Sequence, residues 1–98
     1  MQRDAIIQQI KSLRPALFAE GVTHVALFGS RARGDHSERS DLDLLLDVDP
    51  ARRFSILNLV GVERIIEEAV GIPTNAFMRR SLDNSFEASI ESEVVEIF

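Results

Sequence analysis

The sequence predicts a small α/β or α+β domain, in which a mixed β-sheet is flanked by helices. Segments with the apolar spacing of helices alternate with short β-branched, apolar segments, in the order helix, strand, strand, helix, strand, helix, strand. Apolar residues make up 45% of the 98-residue chain, an ordinary share for a globular protein. A chain of this length can build one compact core, so we predict a single domain over residues 1–98.

An amphipathic helix is predicted at the start of the chain. Four apolar residues share one helical face: Ile6, Ile10, Leu13 and Leu17. Pro15 interrupts this pattern, so the last turn either kinks or begins a new short helix. Gly21 is the expected stop.

Two strands follow this helix. The first covers residues 22–28, is apolar enough to be buried, and ends in a tight turn with one short helical turn. A polar loop over residues 35–40 leads to the second strand, residues 41–48. One face of this strand is apolar and suited to pack against helices: Leu42, Leu44, Leu46 and Val48. The other face is mainly acidic: Asp41, Asp43, Leu45 and Asp47.

The second half of the chain supplies two more helices and two more strands. The longer helix is predicted to begin at Asp49-Pro50 and to end at Gly71. Its expected core contacts are Phe54, Leu57, Ile65, Ile66 and Ala69. A strand over residues 72–78, a helix capped within residues 83–85 and a short strand over residues 94–98 complete the order. We expect the helices to lie on one face of the sheet.

The charge balance limits the classes of ligand. The chain carries 16 acidic and 11 basic side chains, a net charge of −5, which argues against a general nucleic-acid coat. Three arginines lie close together after the first strand: Arg31, Arg33 and Arg39. Such a local basic site suits a small phosphorylated ligand. The acidic C-terminal segment, which includes Glu93, is interpreted as a solvated surface.

The remaining compositional features exclude further classes of site. No cysteine is present, so disulfides and thiolate metal sites are excluded. No apolar run approaches the roughly 18 residues of a membrane-spanning helix, and the first residues lack the apolar core of a signal peptide. We therefore expect a cytoplasmic protein that binds neither a membrane nor nucleic acid directly.

The turn at Gly29-Ser30 is a candidate phosphate loop. A strand that ends in Gly-Ser and enters a helical turn directs backbone N–H groups and a hydroxyl at one point, which suits phosphate oxygens. Gly29 has no side chain, so the backbone can approach a ligand closely. Alone, a Gly-Ser pair would be an ordinary turn.

Asp41 and Asp43 form a candidate metal site. They are two residues apart on a predicted strand, so both carboxylates point the same way. Their repulsion is relieved by a hard divalent cation with oxygen ligands, above all Mg²⁺, which also bridges nucleotide phosphates.

Taken together, these residues resemble a known family. Gly29-Ser30, ten residues and then Asp41-Leu42-Asp43 match the signature of polymerase-beta-like nucleotidyltransferases. The wider segment FGSRARGDHSERSDLDLLLD is similar to the minimal nucleotidyltransferases, often encoded beside a HEPN-domain protein as the antitoxin of a toxin–antitoxin pair. The resemblance covers nearly the whole chain and implies the polymerase-beta-like nucleotidyltransferase fold.

The resemblance also implies roles for single residues. Ser30 and the backbone near Gly29 would hold the terminal phosphates of a nucleoside triphosphate, while Asp41 and Asp43 would ligate Mg²⁺. Arg31 and Arg33 would steady phosphates or contact a partner, as surface charges with a secondary role. The implied reaction is Mg²⁺-dependent transfer of AMP from ATP to a hydroxyl, a tyrosine by resemblance, on a HEPN toxin, in a possible hetero-oligomer.

Asn75 is the position at which the chain departs from the family pattern. Active members carry a third carboxylate on the next strand, which ligates metal and helps to deprotonate the attacking hydroxyl. The matching segment here is Thr74-Asn75-Ala76-Phe77. An amide can offer an oxygen to a cation but cannot act as a base at neutral pH. Asp47 shares the strand face but lies about 6–7 Å further along, too far to replace the missing group.

Asn75 leaves two alternatives open. One is a nucleotidyltransferase in which two carboxylates and an amide suffice. The other is a catalytically weak relative that neutralises its partner by contact, as a binding module. Transfer to a small molecule is a third and weaker hypothesis, because relatives of that kind usually carry a second domain that binds the acceptor.

Other sites are not supported by the sequence. Leu45 and Leu46 stand where an EF-hand loop needs oxygen ligands and glycine. The Gly-Lys-Ser/Thr of a Walker loop is absent, and neither histidine has a partner spaced for zinc. The phenylalanines, including Phe28 and Phe86, are interpreted as scattered core residues and not as a platform for stacking bases.

Overall fold

The fold, taken from a computed structural model that describes residues 2–98, is a four-stranded sheet packed by helices. The elements are α1 (Arg3–Ser12), α2 (Arg14–Ala19), β1 (Val22–Phe28), α3 (Ser30–Arg33), β2 (Leu42–Val48), α4 (Ile56–Val70), β3 (Thr74–Met78), α5 (Asn84–Ile90) and β4 (Val95–Glu96). Short 3-10 turns follow β3 (Arg79–Ser81) and α5 (Glu91–Glu93). The predicted order of elements is confirmed, including the short helical turn after the first strand, which is α3, and a separate short helix at Pro15, which is α2.

The sheet is mixed, as predicted. Its strand order is β3-β2-β1-β4, in which β1 is antiparallel to β2 and β4, and β2 is parallel to β3. The α4 helix makes the crossover from β2 to β3, as a parallel pair requires. The register pairs Phe28 with Asp43 and Asp43 with Asn75. The C-terminal end of β1 therefore lies beside the N-terminal ends of β2 and β3.

One face of the sheet packs against α1, α2 and α4. The alternating leucines of β2 that the sequence assigned to a buried face, Leu42, Leu44 and Leu46, are at most 1% exposed. They join Ile6, Ile10 and Leu17 of the first two helices in one apolar cluster, which also takes in Val62, Ile66 and Val70 of α4. Burial of each such side chain contributes about 1.5–3 kcal/mol relative to exposure.

The opposite face carries α5, so the prediction that helices lie on one face only is wrong. Ile90 of α5 packs with Ala26, Phe28 and Leu45 in a second, smaller cluster. Leu45, which shares its strand face with the acidic residues, is 1% exposed. The face that holds the aspartates is therefore partly covered by α5, and a ligand on it would lie against this apolar cluster.

Pro15 divides the first predicted helix in two. It occupies the first turn of α2, where its missing N–H group leaves no helical hydrogen bond unmade. This is the second of the two outcomes that the sequence allowed. Ile6, Ile10 and Leu17 are fully buried and Leu13 packs against the same cluster, which confirms the predicted apolar face.

The start predicted for α4 at Asp49-Pro50 is wrong. Asp49 instead closes a turn, because its carboxylate accepts the N–H of Ala51 at 2.9 Å. The helix begins seven residues later, where the side chains of Ser55 and Asn58 form a capping box. The stop at Gly71 is confirmed.

The late start of α4 also changes its buried face. Val62, Ile66 and Val70 recur every fourth residue and form that face. Leu57 lies about 140° around the helix from Val62 and is 82% exposed. Leu57 is therefore not a core contact, and neither is Ala69, which is exposed.

Two glutamates of α4 fix the edge strand β3. The carboxylate of Glu63 accepts the N–H of Ala76 at 2.7 Å, and that of Glu67 accepts the N–H of Thr74 at 3.0 Å. These bonds satisfy donors that an edge strand would otherwise expose. They also hold the residues on both sides of Asn75.

Within residues 2–98, none of the helices has the length and apolar character needed to cross a membrane.

We predict that two leucine-to-alanine substitutions separate the core from the surface. Leu44→Ala should lower the free energy of unfolding by about 2–5 kcal/mol, because Leu44 is fully buried in the larger cluster. Leu57→Ala, at the 82% exposed position, should change it by no more than about 0.5 kcal/mol. Urea unfolding followed by circular dichroism measures both values, and equal losses would contradict the assigned packing of α4.

Candidate active site

Gly29 sits where β1 ends and α3 begins, and two constraints require glycine there. Its φ of 80° and ψ of −162° lie in a region that residues with a side chain rarely adopt. A Cβ atom at this position would lie 2.5 Å from Oδ2 of Asp43. The absence of a side chain at Gly29 therefore lets the backbone pass close to the carboxylate of the neighbouring strand, while its approach to a phosphate stays a prediction.

Ser30 is the first residue of α3 and is partly exposed. Among the residues that the structure describes, no side chain or backbone group forms a hydrogen bond with its hydroxyl. Ser30 lines an open cavity of about 500 Å³ together with Gly29 and Asp43. The proposed phosphate loop and one of the two aspartates therefore face one space.

Arg31 is not the surface charge that the sequence suggested. It is only 4% exposed, and its Nε and Nη2 atoms donate to the carbonyl of Ser40 at 3.1 and 2.9 Å. Ser40 immediately precedes Asp41. Arg31 therefore fastens the polar loop at the residue before Asp41, where β2 begins.

Arg33 is exposed, as predicted, and lines the same cavity as Ser30. Its guanidinium donates to Asp35 and to Glu93, each at 2.9 Å. The hydrogen bonds that Arg33 donates, to Asp35 first and then to Glu93, raise its pKa above the ordinary value. The hydrogen bond from Arg33 correspondingly lowers the pKa of Asp35.

Asp41, Asp43 and Asn75 come together where β2 and β3 begin. The amide Nδ2 of Asn75 donates to Oδ2 of Asp41 at 3.1 Å and to Oδ1 of Asp43 at 3.3 Å. The amide hydrogens thus lie at the point on which both carboxylates converge, where a cation would be favoured. The parallel register between Asp43 and Asn75 brings the strand positions together.

The carboxylate of Asp43 is partly buried and lies near other charged groups. Partial burial raises its pKa above the ordinary value, and the negative charges of Asp41 and Glu93 act in the same direction. The hydrogen bond from Asn75 and the charge of Arg33 oppose this rise. A divalent cation held by both aspartates would remove the repulsion that contributes to it.

Asp47 does not join this group, as the sequence analysis expected. Its carboxylate lies 3.2 Å from Nε of Arg79, the arginine that follows β3. Within residues 2–98, no three His, Cys, Asp or Glu side chains are grouped closely enough to hold a metal ion. The donor set at the candidate site is therefore two carboxylates and one amide, all with hard oxygen atoms that fit Mg²⁺.

Glu93 is a site residue that the sequence analysis missed. Its carboxylate accepts the N–H of Gly29 at 2.6 Å and a hydrogen bond from Arg33 at 2.9 Å, and its side chain is 14% exposed. The acidic C-terminal segment was interpreted as solvated surface, which is wrong for this residue. No local pattern separates Glu93 from the other glutamates of that segment.

Three phenylalanines also line the cavity, against the expectation that the phenylalanines are scattered. Phe28 contacts Phe77 edge to face at 5.5 Å between ring centroids, and contacts Phe86 in the same manner at 6.0 Å. Phe77 and Phe86 are 6.5 Å apart. One signal was available, since Phe77 lies two residues after Asn75 and so faces the same side of β3.

We predict that Gly29→Ala destabilises the protein more than Gly34→Ala does. Gly34 also has a positive φ, of 86°, but a Cβ there meets nothing within 4 Å, so its substitution should cost about 1 kcal/mol. Gly29→Ala adds the contact with Asp43 and should cost about 3 kcal/mol.

A double-mutant cycle isolates that contact. Combining Gly29→Ala with Asp43→Ala removes the carboxylate oxygen and should recover part of the loss, as measured by urea unfolding. Two results together would mean that Gly29 and Asp43 do not constrain each other. Gly29→Ala and Gly34→Ala would lower the free energy of unfolding equally, and the effect of Asp43→Ala would simply add to that of Gly29→Ala.

We also predict that Asp43→Asn raises the free energy of unfolding at neutral pH in the presence of EDTA. The pKa of Asp43 is higher in the folded than in the unfolded state, so its ionised form destabilises the fold. The gain should shrink as pH falls through the folded pKa, because protonated aspartic acid is neutral like asparagine. Urea unfolding of both proteins across this range measures the difference, and a gain that is independent of pH would contradict the assignment.

Comparison with known proteins places the chain in a family. The sequence model of the nucleotidyltransferase domain family matches residues 4–97 of this chain. A protein of Methanocaldococcus jannaschii, named as a candidate protein adenylyltransferase, is 33% identical over 78 residues, which cover 78% of this chain and 76% of that protein. A protein adenylyltransferase of Thermococcus cleftensis is 31% identical over 77 residues, which cover 79% and 76%.

Solved structures share the fold. A structure described as a candidate minimal nucleotidyltransferase matches with a TM-score of 0.80 at 24% identity, covering 97% of this chain and 95% of that one. A structure of tri-AMPylated HEPN toxin of Shewanella oneidensis in complex with MNT antitoxin matches with a TM-score of 0.71 at 12% identity, covering 99% and 72%. On the domain match and the sequence relatives, the chain belongs to the nucleotidyltransferase domain family of enzymes.

Proposed function

We propose that this chain, acting as one domain, is a Mg²⁺-dependent nucleotidyltransferase that transfers AMP from ATP to a hydroxyl group of a partner protein. The observation that carries the proposal is the convergence of Asp41, Asp43 and Asn75 beside the Gly29-Ser30 turn. This arrangement joins a place for hard cations to a place for phosphate oxygens.

The relatives support the nature of the donor and of the partner. Two relatives at 31% and 33% identity carry the name protein adenylyltransferase, one of them as a candidate. One structural neighbour is a toxin–antitoxin with AMP-PNP, and another is a complex of AMPylated HEPN toxin with MNT antitoxin. We infer that the acceptor here is likewise a HEPN toxin, and that the chain acts as its antitoxin.

Asp41 and Asp43 would hold the Mg²⁺ ion. Bound there, the ion would neutralise charge on the phosphates and favour departure of pyrophosphate. Asn75 holds the two carboxylates together through its amide N–H group, and rotation of the amide would present its oxygen to the cation instead. Arg31 contributes indirectly, since its bonds to Ser40 fix the residue directly before Asp41, at the start of β2.

The phosphate chain would bind at the Gly29-Ser30 turn. The hydroxyl of Ser30 and the first N–H groups of α3 are the donors available for phosphate oxygens. Arg33 lies at the same cavity and could exchange a carboxylate partner for a phosphate. In the transfer, the acceptor oxygen forms a bond to the α-phosphorus, and the bond from that phosphorus to the pyrophosphate oxygen breaks.

Asn75 limits the proposed rate. The acceptor hydroxyl must lose a proton, which the amide of Asn75 cannot take, so the proton would pass to solvent water without a positioned base. A slow enzyme is therefore expected, and the same observation favours a second candidate function. In that alternative the chain neutralises its toxin by contact, with nucleotide bound but not transferred.

We predict that ATP labelled at the α-phosphate passes its label to the HEPN partner in the presence of Mg²⁺. Asp41→Ala/Asp43→Ala should reduce transfer by at least about a hundredfold, because both proposed metal ligands are lost. Asn75→Asp should increase it by about a hundredfold, the lower end of the usual contribution of a general base. Asp47→Asn is the matched control, since Asp47 lies on the same strand face but pairs with Arg79, and it should leave transfer unchanged.

The same experiment separates the two functions. Transfer by the unmodified chain that the double alanine variant abolishes supports the enzyme. Toxin that is neutralised equally by the unmodified chain and the folded double variant, without label on either partner, supports the binding module. Transfer that survives loss of both aspartates would overturn the proposed mechanism.

A further inference from the structure

The aromatic wall, defined as Phe28, Phe77 and Phe86, forms one side of the cavity that contains the phosphate loop. Phe28 is 5% exposed and belongs to the smaller core cluster. Phe77 and Phe86 are 38% and 37% exposed and lie outside that cluster. The wall therefore has one anchored ring and two rings that present apolar surface to the cavity.

The wall lies one step along the sheet from the candidate metal site. Phe77 follows Asn75 by two residues on β3 and pairs with Leu45, while Asn75 pairs with Asp43. Two residues of strand correspond to about 6–7 Å. The cavity, of about 500 Å³, is lined by Gly29, Ser30 and Asp43 and by all three rings of the aromatic wall.

The apolar character of the wall is not explained by folding alone. The smaller cluster is already closed over Leu45 by Ala26, Phe28 and Ile90. Phe86 is on α5, an element that contributes only Ile90 to that cluster. Part-exposed aromatic rings that converge beside a polar site are typical of surfaces that stack planar ligands.

We propose that the aromatic wall is the subsite for the nucleobase of the bound nucleoside triphosphate. This inference rests on the proposed function and adds the means of recognition. A nucleotide joins a phosphate chain to a flat ring, and the cavity joins phosphate donors to aromatic faces in the same way. The other polar side chains at the cavity have partners: Glu93 accepts the N–H of Gly29, a bond that remains if Arg33 turns to a phosphate, and the hydroxyl of Ser89 donates to the carbonyl of Phe86.

Recognition by stacking determines the substrate class. Every base has an aromatic face, so a wall without donors or acceptors at the base edge discriminates weakly between bases. The site therefore does not select between the two purine nucleoside triphosphates, and ATP and GTP bind within a few-fold of each other. A site that forms hydrogen bonds with the edge of adenine would instead bind GTP much more weakly than ATP.

The test compares three ligands with Mg²⁺ on the isolated chain by calorimetry: ATP, GTP and inorganic tripolyphosphate. The variants are Phe77→Leu and Phe86→Leu, which keep apolar volume but lose the ring. Phe18→Leu is the control, since Phe18 is 64% exposed on α2 and does not line the cavity. Phe28 is left intact because it is buried, and urea unfolding checks that each variant is folded.

The expected result is a loss of about tenfold in affinity for ATP and GTP in each wall variant. Tripolyphosphate should bind all proteins equally, and Phe18→Leu should match the unmodified chain. Unchanged ATP affinity in both wall variants would overturn the proposal. If the same variants raised the KM for the acceptor protein in the transfer reaction, the wall would instead belong to the acceptor site. An equal loss for ATP and tripolyphosphate would also overturn it. If the unmodified chain bound neither ATP nor tripolyphosphate, the proposed function would fail as well.

Discussion

The close pairing of β1 with β2 is the constraint on which the site depends. It sets Phe28 opposite Asp43, so the residue that follows Phe28 must pass directly beside a carboxylate. Only glycine fits there, because a Cβ would come within 2.5 Å of the Asp43 carboxylate and because φ is positive. The same contact leaves the start of α3 facing Asp43, and thus brings the phosphate loop and one of the proposed metal ligands into one cavity.

The third strand completes this arrangement through bonds on both of its edges. On one side β3 pairs in parallel with β2, which places Asn75 opposite Asp43. On the other side Glu63 and Glu67 of α4 accept the N–H groups of Ala76 and Thr74. Asn75 is thereby held between two fixed neighbours, and its amide bridges the paired carboxylates. A neutral donor at this point stabilises the acidic pair without supplying a base.

The C-terminal segment completes the cavity at the end of β1. It places α5 over the acidic face of the sheet, and the following 3-10 turn brings Glu93 to Gly29 and Arg33. Because β4 then pairs with β1, the segment is tied to the strand that ends in the phosphate loop. Glu93 and Phe86, which both line the cavity, are therefore distant in the chain from the Gly29-Ser30 turn and the aspartate pair.

The sequence by itself determined the order of elements, the turn at Gly29-Ser30 and the strand that carries Asp43 with Asp41 directly before it, because local spacing and turn residues specify these features. It also identified Asn75 as the position next to the pair, through resemblance. Tertiary structure alone decided that Arg31 is buried on Ser40, that Glu93 binds the loop, and that Phe77 and Phe86 meet Phe28. Each of these contacts joins elements whose separation in the chain carries no periodic signal, so only packing of the sheet and helices could fix them.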